Sequence, residues 1–391
     1  MGAAWSGYDA KRLDEVQSHV LSLAEDESAR AGRPVRFRRL HTGVAVRDAA
    51  SGAVTNETVH SIECEPAEAD PAALDAAPPI VLAHGYAAGS LMYTNSLANL
   101  AHHSGRRVIA VDWIGMGASS RPRFTARDEN ECIEWFLSSL DSWRAQRRLE
   151  QIDLVAHSMG GYLSVFYAQR HPERVRALVL ASPVGFPDAP DPSARREMPW
   201  LWSLVSRLWG AGVNPNHVIR GAGPLGYRLV KRFVHRRFPE GPTLGVHGLE
   251  RDNDEHAQLF SAYMHQISVA PGSGEHALGS LLLPGAFAKK PIHRELPKMP
   301  ARRVLVVFGE SDWMRRDIAA AHHAARQMSD AKVLTVPGTH HVYLNAAFDK
   351  AVLEHLGIKE KPPSRRRGSS SLAGARGEDD AGARPQDVAR I

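Results

Sequence analysis

The sequence predicts an α/β protein: a mostly parallel sheet with helices on both faces and a cap inserted late in the chain. Three observations lead there. Short apolar runs such as "IVLAHG" and "RALVLASP" alternate with longer helical patterns, as strands buried on both faces do. The alternation stops between about Gly185 and Pro300, a gap far too long to connect neighbouring strands. It then resumes with "RVLVVFGE" and "AKVLTVPG".

Taken in order, residues 1–33 hold an amphipathic helix with Leu13, Val16, Val20 and Leu23 on one side. The first part of the core, residues 34–185, opens with β-like runs at Val35–Val46 and Thr58–Cys64, joined through a Ser-Gly turn. The Ala/Pro/Asp-rich stretch Pro66–Pro79 reads as a loop. "IVLAHG", "RVIAVDW", a helix from about Asn130 to Leu149, "IDLVAHS" with its helix, and "RALVLASP" follow. Residues 186–300 form the cap, which at the carboxyl edge of a parallel sheet lies over any site there. The cap carries Trp200, Trp202 and Trp209 and the basic helical stretch "GPLGYRLVKRFVHRRF". Residues 301–358 complete the core with a last helix near Phe348–Leu356, and residues 359–391 have the composition of a disordered tail.

Composition narrows the class. A hydrophobic content of 43% over 391 residues suffices for a large core. Two cysteines, Cys64 and Cys132, argue against a disulfide framework and for a reducing compartment. The net charge of +5 is modest for this length, and no nucleic-acid partner is expected. No window reaches the roughly 18 apolar residues of a membrane span. The first residues lack the apolar core of a secretory signal, so an intracellular location is expected. Twenty histidines are present without an H-E-x-x-H or Cys/His cluster, so neither a metal nor another cofactor is expected.

The chemistry centres on "LVAHSMGGYL". Ser158 falls where an apolar strand breaks into a helix, and a serine on such a turn is held with its hydroxyl clear of the sheet. Small residues must flank so tight a turn, and Ala156 and Gly160 do. A serine hydroxyl needs a base, and the base an orienting acid. On this fold both follow the serine in chain order. "RVLVVFGE" runs into Asp312, which takes the acid's place, and "AKVLTVPG" runs into His340 and His341. His340, directly after the small Gly338-Thr339 turn, is chosen as the base, with His341 as the alternative. Two backbone N–H groups would hold an oxyanion: Met159, directly after the serine, and Tyr86, after His84-Gly85. "VDWIGMGASSRP" lacks the spacing of a phosphate loop and reads as a structural turn.

These residues resemble a known family. "HGYAAGSLMY", "VDWIGMGASSRP", "SSLDSWR", "AHSMGG", "ASPVGFP", "GAGPLGYRLVKR" and "FGESDW" together are similar to the α/β-hydrolase-domain 4/5 subfamily, over roughly Pro79 to Leu356. That group includes a lipid-droplet lipase co-activator, a lyso-N-acyl-phosphatidylethanolamine lipase and a cardiolipin deacylase. The resemblance implies the α/β-hydrolase fold, with Ser158, Asp312 and His340 as nucleophile, acid and base. The family's H-x-x-x-x-D, linked to lysophosphatidate acyltransfer, becomes His340 to Asn345 here, and Asn345 carries no charge.

The expected function is that of a serine lipid hydrolase deacylating a phospholipid or lysophospholipid. The tryptophans Trp200, Trp202 and Trp209 would receive the acyl chain. Two rivals stand beside this reading: an acyltransferase acting on lysophosphatidate, which Asn345 disfavours, and a lipid-droplet scaffold that regulates a separate lipase, which Ser158 disfavours. Peripheral contact with a membrane or lipid droplet is expected, with cytoplasm and mitochondria both open as compartments. The start Met1-Gly2-Ala3-Ala4-Trp5-Ser6 fits the myristoylation pattern M-G-x-x-x-[ST]. The cap's Trp200, Leu201, Trp202, Leu204, Leu208 and Trp209, with Lys231, Arg232, Arg236 and Arg237, would add a second contact with anionic lipid.

Overall fold

The computed structural model describes residues 3–190, 207–210, 212–237, 253–300 and 303–361. Trp200 and Trp202, Leu201 and Leu204, Gly2 of the myristoylation pattern, and nearly all of the tail lie outside these residues. Ten strands form among the described residues: β1 (Val35–Arg47), β2 (Val54–Pro66), β3 (Ile80–Ala83), β4 (Val108–Val111), β5 (Ile152–His157), β6 (Val175–Ala181), β7 (Leu282–Leu283), β8 (Phe287–Ala288), β9 (Arg303–Gly309) and β10 (Ala331–Val336). Eight of them make one sheet in the order β1-β2-β4-β3-β5-β6-β9-β10, and β7 and β8 pair as a small separate hairpin. From β4 to β10 every neighbouring pair is parallel, while β2 runs antiparallel to both β1 and β4.

The predicted runs became these strands for the reason that suggested them. Ile80–Ala83 and Val108–Val111 are buried throughout, because helices cover both faces of the sheet. The helices Thr94–Ser104 and Ala346–His355 pack on one side, and Glu129–Gln146 and Met159–Arg170 on the other, giving one apolar core per face. The Ser-Gly turn between β1 and β2 is as expected. Gly52 takes φ +73°, and the Asp48 carboxylate accepts from the Ser51 N–H. The Pro66–Pro79 segment departs from a plain loop: Asp70 caps a short helix, Pro71–Asp75, with proline at its first position.

The helix Ala10–Arg30 does not stand apart as the amphipathic pattern alone would allow. Its buried Leu13, Val16 and Val20 join the core, and the segment before it is tied to the cap. Asp9 N–H donates to Gln266 Oε1 at 2.8 Å, Gln266 Nε2 donates to the Gly7 carbonyl at 3.2 Å, and the Ser6 hydroxyl donates to the Val269 carbonyl at 3.3 Å. The described part of the cap consists chiefly of the helices Pro215–Gly221, Gly226–Arg237 and Asn253–Val269, followed by the β7–β8 hairpin.

Parallel register determines where the chemistry falls. Ala83 of β3 stands opposite Ala156 of β5, His157 opposite Ala181 of β6, Ala181 beside Val307 of β9, and Gly309 opposite Val336 of β10. The carboxyl ends of these strands therefore reach one edge together, under the cap.

Candidate active site

Ser158 occupies the break between β5 and the helix Met159–Arg170 with φ +53° and ψ −118°, a conformation that L-residues rarely adopt. Strain of this kind persists only where the surroundings over-determine it. Ser158 N–H donates to the Ala181 carbonyl at 3.0 Å, and its own carbonyl accepts from Tyr162 N–H at 3.1 Å. A Cβ on Gly160 would collide with the carbonyls of Ala83 and His84, so the small residue anticipated there is required by the close approach of β3. A Cβ on Gly85 would come within 2.8 Å of Ser158 Cβ.

The three predicted side chains are brought into one hydrogen-bonded chain. His340 Nε2 lies 3.1 Å from Ser158 Oγ, and His340 Nδ1 lies 3.0 Å from Asp312 Oδ1. A carboxylate only accepts, so Nδ1 carries the proton and Nε2 faces the serine as the bare acceptor. Burial opposes ionisation of Asp312, but the His340 ring and the Met314 N–H, which donates to Oδ1 at 2.9 Å, hold its pKa below the usual carboxylate value. The loops that carry Asp312 and His340 meet because Gly309 has no side chain. A Cβ there would strike the carbonyls of Gly338 and Thr339. Ser311 N–H then donates to the Gly338 carbonyl at 2.9 Å. His341 is paired elsewhere, with Nδ1 3.0 Å from the Tyr343 hydroxyl, so His340 is the histidine that reaches the serine.

The residues of the two anticipated N–H donors, Tyr86 and Met159, line the same cavity as Ser158. Met159 opens its helix, where first-turn N–H groups have no helical partner. The Gly85 carbonyl is 2.7 Å from His84 Nδ1, and across a trans peptide this turns the Tyr86 N–H away from His84. Trp113 N–H donates to His84 Nε2 at 3.1 Å, so Nδ1 is the protonated nitrogen and the Gly85 carbonyl accepts from it. Burial lowers the His84 pKa, which keeps this ring neutral.

Sequence reasoning passed over several contributors. His157 directly precedes the serine, and its Nε2 donates to the backbone carbonyl of His340 at 2.9 Å. Its ring is buried and packs against those of His340 and Tyr343 at 4.8 and 4.9 Å, and burial pushes its pKa well below the ordinary histidine value. Trp313, next to Asp312, lies 5.1 Å from the His340 ring. The Arg316 guanidinium sits over Trp313 and Phe287, linking the acid loop to the β7–β8 hairpin. Adjacency to Ser158 and Asp312 was the available signal for His157 and Trp313. Asp112 was another omission. Buried, it binds His60 Nδ1 at 2.9 Å and accepts from the N–H groups of Ser90 and Ala118, folding "VDWIGMGASSRP" into the structural turn expected of it.

Ser158 opens into a cavity of about 510 Å³ with walls that include Val184, Trp209, Phe233, Met264, Leu278 and Leu282. Trp209, expected at the acyl site, is in this wall and donates its indole N–H to the Leu282 carbonyl at 2.9 Å. Held in this way, the partly buried Trp209 belongs to the cavity wall. Asn345 also has a structural role. Its side-chain oxygen accepts from Ala347 N–H at 2.9 Å as the cap of the helix Ala346–His355. Aspartate and asparagine cap helices about equally well, so the position keeps this structural role without the charge.

Residues 78–347 match the family model described as alpha/beta hydrolase fold. The chain is similar to a probable 1-acylglycerol-3-phosphate O-acyltransferase of Oryza sativa subsp. japonica, 33% identical over 71% of this chain and 66% of that protein. It thus spans about two thirds of that relative's length. It is 32% identical to the Homo sapiens 1-acylglycerol-3-phosphate O-acyltransferase ABHD5, over 68% of this chain and 73% of the relative. With the (lyso)-N-acylphosphatidylethanolamine lipase of Bos taurus it shares 30% identity, over 71% and 78%. Among solved structures, a membrane phospholipase A described as a bacterial virulence factor aligns with a TM-score of 0.55 at 18% identity, over 89% of this chain and 91% of that one. The chain belongs to the α/β-hydrolase family, in the branch that holds ABHD5 and the (lyso)-N-acylphosphatidylethanolamine lipase.

Proposed function

We propose that this α/β hydrolase is a serine lipid hydrolase that deacylates phospholipids or lysophospholipids. One observation carries the reading: a serine hydroxyl 3.1 Å from the bare nitrogen of a buried, acid-oriented histidine faces an apolar cavity of about 510 Å³. The cavity suits an acyl chain, and the described part of its wall contains no Lys, Arg, Asp or Glu to hold a charged head group inside.

In this mechanism the Ser158 hydroxyl attacks the ester carbonyl while His340 takes its proton, and Asp312 stabilises the imidazolium that results. The N–H groups of Tyr86 and Met159 hold the oxyanion, aided by the positive end of the helix that Met159 begins. His340 returns the proton to the departing alcohol oxygen. Water, deprotonated by His340, then attacks the acyl-serine and releases the fatty acid. An intracellular location at or near a lipid surface goes with this proposal.

Acyltransfer is the second reading, favoured by the names of the plant and animal relatives. It uses the same acyl-serine and differs only in the acceptor, lysophosphatidate in place of water. One experiment separates the two: purified protein is given a mixed phospholipid extract with and without added lysophosphatidate, and the products are identified by mass spectrometry. Free fatty acid is the expected dominant product, absent with Ser158→Ala. Phosphatidate exceeding fatty acid would make the protein a transferase. No product from any lipid, with intact Ser158, would favour a scaffold.

A further inference from the structure

The cap helix Gly226–Arg237 has two apolar sides, and one of them faces outward. Val230 and Val234 point inward and are 3% and 0% exposed. Leu225, Leu229 and Phe233 recur every fourth residue and so line one side of the helix. They are 57%, 45% and 52% exposed. Val218 of the neighbouring helix is 59% exposed, and Trp5, whose indole lies against Gly223, is 53% exposed. A helix that simply covers a core would carry polar residues there. Large exposed apolar groups gathered in one place mark an interaction surface.

Charge points to the partner. Arg228, Lys231, Arg232 and Arg236 are all exposed on the same helix. From Met198 to Pro239 the sequence has seven Lys or Arg residues and no Asp or Glu. Such a face repels a second copy of itself and attracts an anionic surface. Continuity with the site is the third observation. Phe233 both ends the exposed stripe and lines the cavity that contains Ser158.

We propose that this side of the cap docks on an anionic lipid bilayer. Leu225 and Leu229 seat among the acyl chains, the four cations meet phosphate head groups, and Phe233 borders the passage by which an acyl chain reaches Ser158. No helix among the described residues is long and apolar enough to cross a membrane, so the contact is peripheral. The passage rests on the lipid-hydrolase reading; the docking itself does not.

The test floats full-length Ser158→Ala protein with phosphatidylcholine vesicles, with and without phosphatidylglycerol, at low and high salt. Binding to the anionic vesicles is expected to be at least about tenfold tighter than to neutral ones and to weaken with salt. Two further proteins, Leu225→Asp with Leu229→Asp and Lys231→Glu with Arg232→Glu, should each lose about tenfold or more in binding. With Ser158 restored, both should hydrolyse soluble p-nitrophenyl butyrate at the unaltered rate, which shows that they fold. Failure to bind anionic vesicles at low salt, equal binding to neutral vesicles, or binding indifferent to both double variants would overturn the proposal. So would a dimer in light scattering that the same substitutions dissociate. Absence of esterase activity in the Ser158 protein would sink the hydrolase reading and leave the vesicle result standing.

Discussion

His157 Nε2 stands 2.9 Å from the carbonyl oxygen of His340, so the residue before Ser158 ties down the backbone of His340. This bond joins the end of β5 to the loop after β10, two segments that meet only in the folded chain. His157→Leu removes the donor and leaves a buried carbonyl unpaired. A fall in kcat of about 10–100-fold is expected, with a stability loss of about 1–3 kcal/mol. His157→Gln keeps an N–H donor and should recover part of the rate. Equal losses in the two variants, measured as kcat on p-nitrophenyl butyrate, would mean that ring packing and not the hydrogen bond positions His340.

Ser158→Ala is expected to lower esterase turnover by about 10⁴–10⁶ while leaving the circular dichroism spectrum and melting temperature close to those of the parent. Labelling by a fluorophosphonate probe should vanish with it. Persistent labelling would identify another nucleophile.

Asp312→Asn probes the tautomer. With a carboxamide opposite Nδ1, the imidazole can turn its protonated nitrogen toward Ser158, and a fall of about 10⁴ in kcat is expected. Substrate KM should change little. A loss of less than about tenfold would show that Asp312 is not what orients His340.

Asp317 gives a pH signature. Burial raises its pKa from 3.8 to about 6, Arg316 opposes the shift, and nearby Asp312 adds to it. Because the folded value is the higher one, the folded state binds the extra proton between about pH 4 and 6, and stability falls as pH rises through that window. Asp317→Asn removes this loss. Its melting temperature should match the parent below pH 4 and exceed it above pH 7, by the equivalent of about 3 kcal/mol. A parent and variant with the same pH dependence of melting would contradict this.

If the proposed acyl chain occupies the cavity, its wall is expected to set chain length. Leu282→Trp places a larger ring in the space beside Trp209, and kcat/KM for palmitoyl esters is expected to drop about tenfold while butyrate changes by less than about threefold. A uniform loss across chain lengths would show that the acyl chain lies elsewhere.

The sequence by itself determined the parts that depend on local pattern. Apolar runs without alternation specified strands buried on both faces, and the break between Val155 and Gly160 specified a turn that presents Ser158. Strand ends then placed Asp312 and His340 in loops that reach Ser158, because in a parallel sheet the carboxyl ends gather at one edge. Only the tertiary structure decided what those loops touch. The Gly338-Thr339 turn pointed to His340 ahead of His341, but that His340 reaches Ser158 while His341 pairs with Tyr343 shows only in the fold, where Gly309, lacking a Cβ, lets the two loops close. The structural role of Asn345 could not be read in advance, because its cap bond to Ala347 is visible only once the helix start is placed. Trp209 and Phe233 carry the same apolar signal in the sequence, yet one is pinned in the cavity wall and the other spans cavity and surface. Periodicity records which residues share a face, whereas the neighbour of each face is set by register and crossover between segments far apart in the chain.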